Sequence, residues 1–356
     1  MGDRQAGVLV TVVIINHNYG QFLRTCIESI LAQSHLPVEI IAVDDGSTDG
    51  SADILTSYGD RIITVQQDNL GHVKAFNAGF AASRGDLVLF VDADDVLYPE
   101  CLASVLSAWR PGLSKVQFRL DTIDAAGLDL NMPFPAYSSA LDASEIRRRS
   151  IASGYYPWPV STGNAYARDY LLSVMPVPHP RIWKAPDGYV NKLAPLFGDV
   201  ETLPRRLGAY RVHGSNLWAS SSKQVNLAGY TRNVRFDCDL HTKFAEVAAS
   251  RGLQVGSYND RLVPQWIEVR LLSFRLRREE HPIEDDTAGR LLWLGLRAAA
   301  RADGLTPSGR LLWALWFLAV ATAPKALLLR LVQLGRIQSS RALLARLVVR
   351  ASRSSA

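Results

Sequence analysis

The sequence predicts an α/β protein built on a parallel-centred sheet and extended by helices at its C-terminal end. Three observations carry that expectation. Apolar runs of strand length alternate with helical periodicity over the first hundred residues, polar turn-forming clusters follow each apolar run, and from about residue 223 onward the pattern is helical. With 356 residues and 48% hydrophobic content, the chain can bury a full core and a second unit.

The first element is "VLVTVVII" (8–15), β-branched and only eight residues long, which marks a strand covered on both faces rather than the apolar part of a leader. "QFLRTCIESILAQS" (21–34) puts Phe22, Leu23, Cys26, Ile27, Ile30 and Leu31 on one helical face. "VEIIAVDD" (38–45) repeats the strand pattern, and "GSTDGSADILTSYG" (46–59) supplies turn residues, a cap and a short helix. "RIITVQ" (61–66) is a third strand, "HVKAFNAGFAASRG" (72–85) a helix stopped by glycine, and "DLVLFVD" (86–92) a fourth strand. The order β-α-β-α-β-α-β implies parallel strands joined by right-handed crossovers.

In such sheets ligands sit beyond the carboxyl ends of the strands. Polar groups gather at all four of these ends: "NHNYG" after the first, "DDGSTDGS" after the second, "QQDNLGH" after the third and "DADD" after the fourth. Each cluster alone would pass as an ordinary turn. Together they describe a crevice. Asp92, Asp94 and Asp95 crowd negative charge at one point, which is costly unless a cation compensates it. Paired carboxylates suit a hard divalent ion, magnesium or manganese, that arrives bridged to the phosphates of a nucleotide. Asp44 or Asp45 would then accept a hydrogen bond from a base or ribose, and Lys74 and Asn77 would reach phosphate.

The stretches "TVVIINHNYGQFLRTCIESILAQS", "EIIAVDDGSTDGSADIL", "DNLGHVKAFNAGFAASRGDLVLFVDADD" and "YRVHGSN" resemble the family 2 glycosyltransferases over residues 8–218. The resemblance implies the Rossmann-like A-type glycosyltransferase fold and transfer of a sugar, with inversion, from a nucleotide-diphospho-sugar to an acceptor hydroxyl, such as that of a glycan or lipid-linked glycan. It implies that Asn16, His17 and Asn18 border the nucleotide, with His17 where a tyrosine is common, and that Asp44 or Asp45 is the base-binding acid. Asp92, Ala93 and Asp94 match the metal and diphosphate motif, with Asp94 as direct ligand; Asn77 matches, and Lys74 replaces a small residue. Asp187 in "WKAPDGYVNKLAPLFG" stands in the place of the general base, although the usual acid pair is here Pro186-Asp187. His213 would complete the metal shell or donate to the leaving phosphate. Trp158 and Asn164, in an aromatic segment before Asp187, would line the acceptor site.

The expected domains are a nucleotide-sugar-binding unit over 1–222, acceptor side included, and a helical region over 223–356. The net charge of +5 is concentrated late: no acidic residue follows Asp303, while eight arginines and lysines do. This excess lacks a nucleic-acid-binding motif, so no nucleic acid partner is expected. The uncharged run Leu311–Pro324 is shorter than the ~20 residues that span a bilayer. A helix pair lying in the membrane interface fits it better, with Trp313 and Trp316 as anchors and arginines facing anionic headgroups through 311–353; the alternative is a buried helix packed on the catalytic domain or a dimer contact. Cys26, Cys101 and Cys238 are widely spaced without a CxxC, which fits a reducing cytoplasm and the inner face of the cell membrane. Rival functions are a catalytically inactive, membrane-associated scaffold that binds nucleotide sugars, and a nucleotidyltransferase, which would need a basic glycine-rich loop that "NHNYGQF" does not supply. A dehydrogenase lacks its GxGxxG.

Overall fold

The computed structural model describes residues 7–35, 37–135, 141–178, 185–213, 226–302 and 305–335. The chain divides into two compact units, Met1–Val212 with Lys243–Val255, and His213–Thr242 with Gly256–Ala356. The boundary expected at 222/223 lies outside the described residues.

In the first unit the predicted alternation appears in order: β1 (Val10–Asn16), α1 (Gly20–Leu31), β2 (Val38–Asp45), α2 (Ser51–Thr56), β3 (Ile63–Gln67), α3 (His72–Ala82) and β4 (Leu87–Asp92). There follow β5 (Val96–Leu97), α4 (Cys101–Ala108), β6 (Leu113–Ile123), α5 (Ala143–Ser153), β7 (Asn164–Ala167), α6 (Arg168–Val174), α7 (Pro186–Leu193) and β8 (Asp199–Arg211). The sheet runs β3-β2-β1-β4-β7-β6-β8-β5. Its first four strands are parallel, β7 is antiparallel to both neighbours, and β6 and β8 are parallel to one another. β1 lies between β2 and β4, so the strand order reverses at its carboxyl end and opens a crevice there.

Burial follows the sequence pattern. Every residue of β1 is buried, as an apolar run covered on both faces requires, and α1 turns Leu23, Cys26, Ile27 and Ile30 into the core against it. α3 packs against the other side so closely that a Cβ at Gly79 would stand 2.2 Å from Val13 Cγ1. Only glycine fits.

The second unit is helical, with α8 (Leu227–Ser250), whose residues from Lys243 are assigned to the first unit, and then α9 (Pro264–Leu276), α10 (Ala288–Arg301), α11 (Pro307–Thr322) and α12 (Lys325–Gly335). Ile267, Leu271, Leu291, Leu294, Phe317, Val320 and Leu328 form its core. The α/β sheet with a helical C-terminal extension is thus present as predicted.

Candidate active site

Strand register brings the predicted polar residues to one level. Asn16 pairs with Asp44, Asp45 with Gln67, and Ile15 with Asp92. Asn16 Nδ2 donates to Asp44 Oδ1 at 2.8 Å and to Ser47 Oγ at 3.0 Å, and Ser47 Oγ donates to the same Asp44 oxygen. Asp45 does different work. Its Oδ1 accepts from Gln67 Nε2 (2.6 Å) and the Leu70 amide (2.9 Å), and its Oδ2 accepts from the Gly71 amide (2.9 Å). Both Asp45 oxygens therefore brace the loop after β3, whereas Asp44 is bonded through Oδ1. The turn between them and α2 needs Gly46 at φ +70°, where a Cβ would stand 2.6 Å from the Asn69 amide.

His17 is held by its neighbours. Its Nδ1 donates to the Asp45 carbonyl at 2.8 Å, which leaves Nε2 to accept from Asn18 Nδ2 and Asn69 Nδ2 at 3.2 and 3.3 Å. Asn18, at φ 59°, accepts from the Thr48 amide through Oδ1 and donates its own backbone N–H to Ser47 Oγ, tying the two loops together. Lys74 is exposed on α3. Asn77 departs from the phosphate-contact expectation: its amide clamps Val177, donating to the carbonyl at 3.0 Å and accepting from the N–H at 2.8 Å. A side chain occupied at both ends by one backbone segment serves as a brace.

The acid cluster follows β4. Ala93 is buried with its amide donating to the Ile15 carbonyl, which fixes the backbone between Asp92 and Asp94. Asp95 is fully buried, accepting from Thr162 Oγ1 at 2.5 Å and from the Arg211 amide at 2.9 Å. Burial, then Asp94 and Asp187, push the Asp92 carboxyl well above the usual carboxylate range; burial, Asp94 and Asp92 do the same to Asp95. The same negative field reaches two tyrosines. Burial comes first at Tyr19 and Tyr210, and the three aspartates add to it in raising both phenols.

Two basic groups meet this cluster that sequence reasoning did not single out. His72 Nε2 lies 3.7 Å from Asp92 Oδ1. Arg211, buried at the end of β8, donates from Nε to the Asp94 carbonyl at 2.8 Å and from Nη1 to the carbonyls of Asp124 and Ala125, and packs 4.8 Å from the Phe22 ring. Arg211 sits inside the "YRVHGSN" stretch, so a search for the cation opposing three acids would have found it.

Asp187 opens α7, one position after Pro186. Burial raises its carboxyl to about 6, against the lowering effect of the Gly188 amide, its own amide and the Lys115 charge. Lys115 is fully buried in β6. Its Nζ donates to Asn164 Oδ1 at 3.0 Å and Asn191 Oδ1 at 2.6 Å, and lies 5.1 Å from the Tyr156 ring centroid. Burial depresses its amine well below the usual lysine range, opposed by Asp187. Asn164 is therefore corrected from an acceptor-lining residue to a buried one: it accepts from Lys115 and donates to the Val160 carbonyl at 2.7 Å. Trp158 is half-buried in an aromatic cluster, 5.2 Å from Tyr155 and 5.0 Å from Tyr156. His213, half-buried two residues beyond β8, is the first residue of the second unit.

The Asp187 charge is, after burial and Asp94, a further cause that raises the Asp92 carboxyl. Among the described residues no three His, Cys, Asp or Glu side chains form a closed metal shell. Asp92 and Asp94, the second of which raises the carboxyl of the first, nevertheless fit an oxygen-seeking divalent ion whose remaining ligands would be water and phosphate.

A crevice of this kind at the reversal point of a parallel sheet defines a nucleotide-binding class of α/β protein. The glycosyl transferase family 2 profile matches residues 11–131. The uncharacterized glycosyltransferase alr2836 of Nostoc sp. is 37% identical over 226 residues, 61% of this chain and 69% of that protein. The chain belongs to glycosyltransferase family 2. Glycosyltransferase GlyG of Streptococcus pneumoniae is 38% identical over 93 residues, 25% of this chain and 31% of its own. Among solved structures, Staphylococcus aureus TarS 1–349 in complex with UDP-GlcNAc aligns with a TM-score of 0.49 at 16% identity, covering 93% of this chain and 92% of that one.

Proposed function

We propose that this glycosyltransferase is inverting and metal-dependent, and that it moves a sugar from a nucleotide-diphospho-sugar to an acceptor hydroxyl of a glycan or lipid-linked glycan. The reading rests on one pairing: Asp92 ends β4 at the carboxyl end of the sheet, and the charge of Asp187, at the head of α7, is among the causes that raise the Asp92 carboxyl although 95 residues separate them. An acid that meets the diphosphate and an acid that meets the acceptor have to face one another across the sugar.

Asp44 is the acid for the base or ribose, since Asp45 is occupied in bracing the 67–71 loop. Asp92 and Asp94 would hold a magnesium or manganese ion, which would supply positive charge to the diphosphate leaving group. Asp187 takes the proton of the acceptor hydroxyl as that oxygen bonds to the anomeric carbon from the face opposite the diphosphate. The carbon–oxygen bond to the diphosphate breaks, and the nucleoside diphosphate leaves with the electron pair. A carboxyl raised to about 6 is well matched to this step, being more basic than an ordinary aspartate yet still ionised at neutral pH. Lys115, buried behind it with Asn164 and Asn191, holds down the rise that burial alone would cause.

The test is incubation with a panel of nucleotide sugars and manganese, following release of nucleoside diphosphate. Release that disappears in Asp94→Ala supports the enzyme. Binding without release by the unaltered protein would instead support an inactive scaffold.

A further inference from the structure

α11 is apolar nearly all round, and the structure divides its residues between two environments. Inward, Phe317, Val320 and Ala321 are buried in the second unit's core, with the Phe317 ring lying where a Cβ on Gly295 of α10 would be only 2.4 Å away. The helix is held at both ends. Thr306 caps its start by accepting from the Gly309 amide at 3.1 Å, and Arg275 donates to the carbonyls of Ala321 and Ala323 at its finish. The tryptophans expected to anchor it in lipid turn aside: Trp316 Nε1 donates to Glu268 at 2.7 Å, and Trp313 packs 5.6 Å from Phe317.

What the helix leaves outside is Leu311, Leu315 and Leu318, at 61, 54 and 49% exposure. Their spacing of i, i+4, i+7 puts them in one stripe, about 10 Å long at 1.5 Å per residue. Single exposed leucines are ordinary, but three in register on a helix capped at both ends are not scattered. Leu327 on α12 adds a fourth, at 48%. Arg310, Lys325 and Arg330 are exposed beside these leucines in sequence, and no acidic side chain follows Asp303 anywhere in the chain.

We infer that the α11 leucine stripe is a membrane-docking face that lies flat on an anionic lipid surface. The charge distribution chooses the occupant. A protein partner buried against this face would need acidic groups matched to each exposed cation, whereas anionic headgroups supply negative charge wherever a cation falls, and shallow insertion of leucines needs no matching pocket. Among the described residues no helix is long and apolar enough to cross a membrane, so the contact is peripheral. The inference stands on the second unit alone and does not depend on the transfer chemistry. Residues 336–353, also expected to meet the membrane, lie outside the described residues.

Flotation of the full chain with phosphatidylcholine vesicles, and with vesicles containing phosphatidylglycerol, tests it. The protein should float only with the second, and Leu311→Ser/Leu315→Ser/Leu318→Ser should lower that affinity at least about tenfold while leaving the C-terminal arginines intact. Arg310→Gln/Lys325→Gln should weaken binding and its salt dependence by a comparable factor. Should the triple variant unfold, Leu315→Cys carrying a polarity-sensitive dye gives an independent reading, its emission moving to shorter wavelength on anionic vesicles. Equal flotation of the triple variant and the unaltered protein, no flotation by either, or a dye indifferent to anionic vesicles would overturn the inference. So would lipid-free dimers that the triple variant dissolves into monomers, since the stripe would then join two copies.

Discussion

Asp286 in the second unit and Asp95 in the first are both fully buried carboxylates, yet their surroundings treat them oppositely. Asp286 accepts from Arg270 Nε and Nη2 at 2.5 and 2.6 Å and from His281 Nε2 at 2.9 Å. Burial alone would raise its carboxyl, but His281 and Arg270 outweigh burial and hold it below the usual range. Asp95 receives one hydroxyl and one backbone amide, shares its neighbourhood with Asp92 and Asp94, and is raised. The guanidinium nearest to the cluster spends donors on the carbonyls of Asp94, Asp124 and Ala125. A fold that merely had to bury acids would pair them as it pairs Asp286. A cluster in which Asp92 and Asp94 both raise the Asp95 carboxyl at a strand end makes sense where a cation comes with the ligand.

The largest effect should come from breaking the satisfied member. Asp286→Ala leaves Arg270 buried without its carboxylate and should cost about 3–5 kcal/mol in denaturant unfolding, with transfer unchanged at temperatures where the protein stays folded. The ion pair also predicts a pH dependence. Because the folded carboxyl lies below its unfolded value, its contribution is present above the unfolded value, about 3.9, and is lost as pH falls through the folded one. Asp92→Asn should do the reverse: melting temperature unchanged or higher, since a repelling charge is removed, and transfer reduced by about 10²–10³-fold.

Asp187→Asn should lower transfer about 10²-fold while donor affinity, measured by calorimetry, stays near that of the unaltered protein. The pH profile carries the same signature. A base must be ionised, so transfer should decline as pH drops through about 6 and flatten in the asparagine variant. The smallest effect belongs to Lys115→Met. Removing a charge that lowers Asp187 should move the acid limb of that profile to higher pH, with little change in donor binding.

The polar level at the carboxyl end of the sheet was legible because strand ends in a parallel sheet announce themselves: an apolar run stops, and Asn16, Asp44 or Asp92 follows within a residue. Asp187 was legible through the resemblance and through the apolar helical pattern behind it, which α7 bears out. Lys115 was not, because it reaches 49 residues forward to Asn164 and 76 to Asn191, and no local pattern records such a contact. Asn164 misled for the same reason: a polar residue among aromatics reads equally well as a ligand contact or as a buried brace. Periodicity also could not orient α11, where nearly every position is apolar, so the tryptophans drew the anchoring role in the sequence reading while the structure exposes Leu311, Leu315 and Leu318 instead.

The claim that the strand-end acids await a cation is tested most directly by titrating the nucleotide sugar that the panel identifies into the protein, with manganese and again with chelator. Binding should weaken at least tenfold, about 1.4 kcal/mol, when the ion is withdrawn, and Asp92→Asn should respond to the ion much less. Equal affinity with and without the ion would contradict the account, for the diphosphate would then sit beside Asp92 and Asp94 with no added charge between them.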